Sequence, residues 1–500
     1  MRYTKLANMD FLDPKKKKAH KIRLYVGYFL MAIALSIGTL ILLFEAFGYD
    51  VNRKTGEIIQ NGLVFVDAHP EQARVIMNGK QEGQTDMRLT LPTGAYSFEL
   101  QRDGYRTWKR SFELEGSIIE RMTYPFLFPE KLEPKDVQLY ASAPQFATQS
   151  PDRRWLLVLK PGGLNGYDMT DLNDKNNPIT PLTLPNNLFT AAAGEHSLET
   201  VEWSNNNRHL LVKHVYRGGF EFVMIDREDP TQSFQVNKTF GIPITQVAMR
   251  DKKFDQLHLL DANGGILRFG EVKSKGLTLL ANQVKSFKSY GSDVVLYVTE
   301  EGAPEGKALV QIRQGDKTYK IRELPKSQLY VTDVTRYDDR WYMAVGTDAE
   351  KKTYVYEQVF DDVARQKPRV PAPVAVLKLQ QLQYLSVSAN TRFIGVQGGS
   401  EFAVYDAEHS RQYRYDTKLA LAPGQKATWM DGHRLAVISE KQVAVFDFDG
   451  INLQKLSASE PGFLPFFDRD YDNLYTIGTS AAVKDKTALI RTSVRIPSDE

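Results

Sequence analysis

A chain of 500 residues with 42% hydrophobic and 25% charged side chains is too long for one ordinary domain and can bury large apolar cores. It contains no cysteine, which excludes disulfides, thiol nucleophiles and thiolate metal sites together. The formal charge of +3 is unevenly spread: eight basic and two acidic side chains fall in the first 23 residues. The remainder is therefore slightly acidic and offers no electrostatic reason to bind nucleic acid.

Residues 1–23 read as a short basic tail without apolar periodicity. Residues 24–44 follow without a single charge. As a helix they reach roughly 31 Å, enough to cross the hydrocarbon core of a bilayer. Basic residues before the run and Glu45 and Asp50 after it predict a single-pass anchor in the plasma membrane. The N-terminus then stays in the cytoplasm and everything beyond Phe44 lies outside. A cleaved signal peptide is the alternative, but the apolar run is long for one and Ala46-Phe47-Gly48 is a poor cleavage site. Ala32 and Ser36, and Ala34 and Gly38, have the small-xxx-small spacing that seats partner helices.

Residues 45–61 read as a linker, and 62–130 as a small β-sandwich. The strands expected there are 63–68, 74–80 with its turn at Asn78-Gly79, 87–91, 95–105 and one or two more between Thr107 and Phe128. Val64-Phe65-Val66 and Pro70-Glu71-Gln72-Ala73 open an ordered series of matches to a known module. The series continues through Val75, Asn78-Gly79, Gly83-Gln84-Thr85, Leu91-Pro92-Thr93-Gly94-Ala95-Tyr96 and Asp103-Gly104-Tyr105. The stretch resembles the PEGA domain family, small sandwiches of bacterial surface and envelope proteins. It departs from that pattern at Gln72, where Gly is usual, and at Asp86, where Pro is common. The resemblance implies a spacer or adhesion module near the membrane and carries no catalytic residue.

From Val137 the text repeats. An apolar strand, a polar turn and a strongly apolar strand recur at 146–159, 201–215, 247–260, 286–298, 332–345, 384–396, 427–438 and 464–477. Eight copies at roughly 40 to 50 residues have the period of propeller blades. An apolar residue followed by Asp recurs after these hairpins, at Tyr167-Asp168, Ile225-Asp226, Tyr405-Asp406 and Phe446-Asp447. An Asp in that place can bond backbone two residues on and start a turn. Ser150-Pro151-Asp152 at the first hairpin turn adds a likeness to TolB-like propellers, and the apolar-Asp pairs a looser one to WD repeats. The last copy has one strand left, 487–496, and no fourth. An unclaimed strand at 137–141 supplies it, so chain ends from both sides close the ring. The expectation is a mainly β protein with a propeller over 137–498, eight blades favoured and seven the alternative.

Candidate chemistry is sparse. Residues 468–473 have the alternating acids of a calcium loop but lack its central Gly and its final Glu, and read as a hairpin turn. His209 and His214 lie five residues apart on one strand, on opposite faces. No metal site, cofactor, phosphate loop or nucleophile elbow is expected, and the protein reads as a non-enzyme. Long insertions at 184–197, 300–306 and 361–373 are the places where a rigid scaffold carries recognition. Leu188, Phe189, His196, Tyr216 and Arg217 are the candidate binding residues. The expected function is a membrane-anchored binding, adhesion or scaffold protein for an envelope protein or a cell-wall or surface glycan. A glycan-active enzyme using the propeller channel, or a sensor acting with a partner, are the alternatives.

Overall fold

The computed structural model describes residues 14–51, 56, 58–360 and 371–496. The chain falls into two compact units, 1–127 and 128–500.

In the first unit, helix α1 (Pro14–Ala46) begins ten residues before the uncharged run, within the stretch expected as a tail. Pro14 opens it at a position where a missing N–H costs nothing. Its 20–46 stretch is apolar and long enough to cross a membrane, and no part of it is buried against the rest of the protein. The stretch expected as a linker is largely structured: β1 (Tyr49–Val51) follows the helix after two residues and pairs antiparallel with β2 (Ile58–Val66). Tyr49–Val51 is only three residues long and residues 58–61 do not alternate, so neither is marked as strand by its sequence. The ladder between them holds them extended. The sandwich continues with β3 (Arg74–Met77), β4 (Lys80–Gln84), β5 (Met87–Pro92), β6 (Gly94–Gln101), β7 (Trp108–Leu114) and β8 (Ile119–Met122). One sheet joins β1, β2 and β5, with β8 parallel to β2, and the other has the order β4-β3-β6-β7. Alternate residues face inward, so Val64, Val66, Val75, Phe98, Leu100, Trp108, Leu114 and Met122 make a closed core.

In the second unit, β9 (Pro134–Tyr140) precedes eight four-stranded antiparallel sheets among the described residues. These blades cover 147–183, 196–235, 244–281, 284–325, 330–378, 384–416, 428–458 and 466–493, and β9 supplies the fourth strand of the last. Every sequence copy falls on the first two strands of a blade, so the expected eight-bladed ring is the one observed. Second and third strands are apolar without alternation because both of their faces are covered. Val294–Thr299 and Arg434–Ser439 are buried at every residue. Core clusters draw on successive blades, as where Leu157, Leu159 and Tyr167 of blade one meet Leu210, Val212 and Val223 of blade two.

Polar detail repeats from blade to blade. In the first hairpin turns, Ser150, Ser204 and Ser388 hydroxyls accept from the backbone N–H of Trp155, His209 and Phe393. An Arg just before the second strand pairs with the Asp ending the third: Arg154–Asp171 at 2.8 Å, Arg208–Asp226 at 2.6 Å and Arg392–Asp406 at 2.7 Å. Asp226 and Asp406 also accept from the N–H two residues on, as their turns require. In blade one this part belongs to Asp171, whose carboxylate accepts from Asn173 N–H. Asp168, the residue expected there, stands mid-strand and pairs with Lys160 at 2.9 Å. The apolar-Asp pattern selects the wrong acid because the third strand of this blade runs on past Asp168 and ends at Asp171.

Ring closure is anchored by Asp136, whose carboxylate accepts from Ser480 Oγ and from the N–H groups of Ala481 and Ala482. Burial pushes that carboxyl up, but these bonds outweigh it and hold it below its ordinary value. Asp136→Ala should destabilise the propeller by about 1–3 kcal/mol, read as a lower thermal midpoint, while Lys135→Ala leaves it unchanged. His258 is buried between Phe269 and Phe287, with Nδ1 2.9 Å from Ser289 Oγ. Burial, with Arg250 and Arg313 nearby, pushes its pKa down to about 4. The unfolded chain takes this proton near pH 6.5 and the folded chain only near 4, so the His258 contribution is lost as pH falls through that window. The stability difference between wild type and His258→Gln should therefore change by on the order of 3 kcal/mol between pH 7 and pH 4 in denaturant titrations.

Candidate binding surface

Blade two places the sequence candidates in two different environments. Leu188 and Phe189 are buried in the core shared by blades one and two, so they fasten the insertion and are not offered to a ligand. A loop long enough to be solvated is held instead by its own apolar residues. His196 and Tyr216 are half-buried and face each other as cross-strand partners, and Arg217 is exposed at the tip of the adjoining hairpin. These three are brought together. They stand on the face of the ring formed by connections between blades and by turns between second and third strands. Of the other insertions, 300–306 is a turn between the second and third strands of blade four, and 361–370 lies outside the described residues.

Beneath them runs a buried relay. Glu221 accepts from Thr190 N–H at 2.7 Å and from Thr190 Oγ1 at 2.6 Å, and lies 2.9 Å from His214 Nδ1. His214 Nε2 is 2.8 Å from His196 Nδ1, and His196 Nε2 is 2.9 Å from the Ala192 carbonyl. A carbonyl at one end and a carboxylate at the other each need an N–H, and the contact between rings needs a third. All four ring nitrogens of the two imidazoles are therefore engaged, between the Ala192 carbonyl and the Glu221 carboxylate. Burial raises the Glu221 carboxyl, but the bonds from His214 and Thr190 outweigh it and hold it below its ordinary value. The relay ties Thr190 and Ala192 of the insertion to the second and third strands of blade two. Sequence reasoning weighs His214 only as a metal ligand and passes over Glu221. Counting back across the Arg217-Gly218 turn makes the two cross-strand neighbours, which is the signal that could have found them.

The ring's inner wall carries a second charged group. First strands of successive blades lie side by side there, and Lys288 of blade four meets Asp333 of blade five at 3.2 Å. That carboxylate raises the Lys288 ammonium, against the cost of its enclosure. Lys426, just before the first strand of blade seven, has its ammonium 5.8 Å from the Tyr384 ring centroid, and enclosure and the Lys288 charge both lower it. Glu202 accepts from Met249 N–H and from Lys252 Nζ. Asp333 and Glu202 thus both have ammonium partners. On the face of the first hairpin turns, Arg153 of blade one donates to the Met430 carbonyl of blade seven and lies over the Tyr471 ring of blade eight at 4.5 Å. Asp468 accepts from Asp472 N–H, Asn473 N–H and Asn473 Nδ2, so its carboxylate organises a turn, and no group of metal-ligating side chains gathers among the described residues.

Comparison with known proteins gives one domain match and several likenesses of fold. Residues 61–123 match the PEGA domain, so the chain carries a PEGA domain followed by a β-propeller. Among solved structures it is similar to the Cps50 (Swd1) β-propeller domain of Myceliophteria thermophila, at 11% identity and TM-score 0.39, over 64% of this chain and 97% of that one. It is similar to the Dos1 propeller at 12% identity and TM-score 0.43, over 73% and 96%. An oligogalacturonate lyase in complex with manganese is similar at 11% identity and TM-score 0.39, over 72% and 100%. No curated protein matches the chain in sequence.

Removing Glu221 leaves Thr190 N–H, Thr190 Oγ1 and His214 Nδ1 without their shared partner. Glu221→Ala should cost about 1–3 kcal/mol and speed protease cleavage within 184–195. Lys213→Ala, a half-buried residue of the same blade paired with the exposed Glu199, should leave cleavage unchanged.

Proposed function

We propose that this chain is a non-catalytic binding or scaffold protein of a bacterial cell envelope. In this reading α1 is retained as a single-pass anchor with its basic end in the cytoplasm, and the PEGA domain and propeller lie outside. The ligand is an envelope protein or a cell-wall or surface glycan, met on the ring face that carries His196, Tyr216 and Arg217. The observation that carries the reading is the relay under that face: buried hydrogen bonds spent on a fixed insertion give a preorganised recognition surface.

The test is photo-cross-linking of the full-length protein on intact cells, from a probe placed at Arg217. One protein or glycan species should be held reproducibly, and His196→Ala combined with Tyr216→Ala should reduce its capture about tenfold or more. Capture that is indifferent to those substitutions, or glycan hydrolysis by the purified full-length protein, would overturn the reading.

A further inference from the structure

The passage from α1 into the PEGA domain is a hydrogen-bonded joint. The Phe47 carbonyl accepts from Ser117 Oγ and from Gln60 Nε2 at 3.3 Å, and Gln60 Nε2 also donates to Ser117 Oγ at 2.9 Å. Asn61 N–H donates to the Gly48 carbonyl at 2.7 Å, and Ser117 N–H to the Asn61 carbonyl at 2.9 Å. Gly48 has φ +73°, and a Cβ there would stand 2.7 Å from the Asn61 oxygen, so the turn needs glycine. Phe44 stacks on Tyr49 across the same turn, with ring centroids 5.1 Å apart. The sandwich is therefore fixed to the helix end within two residues.

Around this joint the domain exposes apolar side chains. Phe47 is 59% exposed, Val51 48%, Ile58 64%, Ile118 38% and Ile119 47%. Ile118 and Ile119 follow Ser117, and Val51 pairs with Ile58 two rungs along from Tyr49 and Gln60. Val51 and Ile58 stand on one side of the joint and Ile118 and Ile119 on the other, so exposed apolar side chains border it from both sides. Phe47 lies about 4–5 Å beyond Phe44 at helical rise, and Val51 about 7 Å along β1 from Tyr49. The headgroup layer beyond the hydrocarbon core is roughly 5–8 Å thick on each side. The helix that ends at the joint places Phe47 at that depth, and Val51, Ile58, Ile118 and Ile119 stand on the chain segments that flank the joint.

We propose that this rim of the first unit, Phe47, Val51 and Ile58 before the PEGA match and Ile118 and Ile119 within it, is seated in the headgroup layer of the membrane that α1 crosses. The proposal rests on the anchor reading of α1. Seating the rim turns the sandwich into a rigid foot for the helix, in the manner of interfacial apolar residues that fix a segment's depth.

The chain's lack of cysteine makes the test direct. Leu40→Cys, Ile58→Cys, Ile119→Cys and Asp103→Cys, each labelled with an environment-sensitive nitrobenzoxadiazole dye, are placed one at a time in the full-length protein. Each is reconstituted in phosphatidylcholine–phosphatidylglycerol vesicles containing spin-labelled lipids. All four positions are exposed, so labelling leaves the core intact. Asp103 lies past the end of β6 away from the joint and serves as the aqueous control. The expected result is quenching of the Leu40 dye by deep spin labels, and blue-shifted emission with severalfold quenching by shallow labels at Ile58 and Ile119. The Asp103 dye should show neither effect. Ile58 and Ile119 dyes that behave like Asp103 while Leu40 is quenched would overturn the proposal and leave the anchor standing. An unquenched Leu40 would bring down the anchor reading first. A blue shift that tracks protein density and not spin-label content would assign the rim to a second copy of this chain, and would also overturn it.

Discussion

The propeller depends on one constraint: its second and third strands are apolar on both faces and can be covered only by neighbouring blades. Val294–Thr299 and Arg434–Ser439 have no solvent-facing side. An open row of such blades would leave a full apolar face at each end, so the ring has to close. It closes by joining β9 to the strand Thr487–Ser493, which makes the last blade from both ends of the propeller segment. The free energy of closure is then shared by every blade, since opening the seam uncovers apolar surface on both sides of it.

Within that frame polar groups act as ties, and their pairing decides what the ring can do. The Arg–Asp pairs of blades one, two and six fix the start of one strand to the end of the next, and Asp406 is held far below the usual carboxylate range. Burial raises that carboxyl, and the bonds from His409 and Arg392 more than reverse it. A buried pair of this kind adds little net stability but is costly to break, so it specifies geometry. The Thr190–Glu221–His214–His196 relay follows the same logic on behalf of a loop. It converts a connection between blades into a fixed part of one face.

The repeat is legible because blade grammar is local. Each hairpin carries its own polar turn and apolar strand, so eight copies and the closing strand at 137–141 can be counted without knowing how they pack. Where a reading depends on the length of one element it fails: the pattern favours Asp168 over Asp171, and 45–61 reads as linker although β1 and the start of β2 lie there. Leu188 and Phe189 look like recognition residues because they stand in a long connection. Their burial depends on a space between two blades that no single stretch of chain describes.

By itself the sequence determined the order of parts: an uncharged helix-length run, a small alternating-strand module and eight blade-sized repeats. Periodicity of two, turn residues and uninterrupted apolar runs are properties of neighbouring residues and survive in one dimension. Only the tertiary structure decided which charges meet. Thr190 and Glu221 are 31 residues apart and Arg153 and Met430 are 277 apart. Pairs inside one hairpin, such as His214 and Glu221, follow from spacing, but partners in different blades or in a connection are set by how the blades stack and where the ring closes.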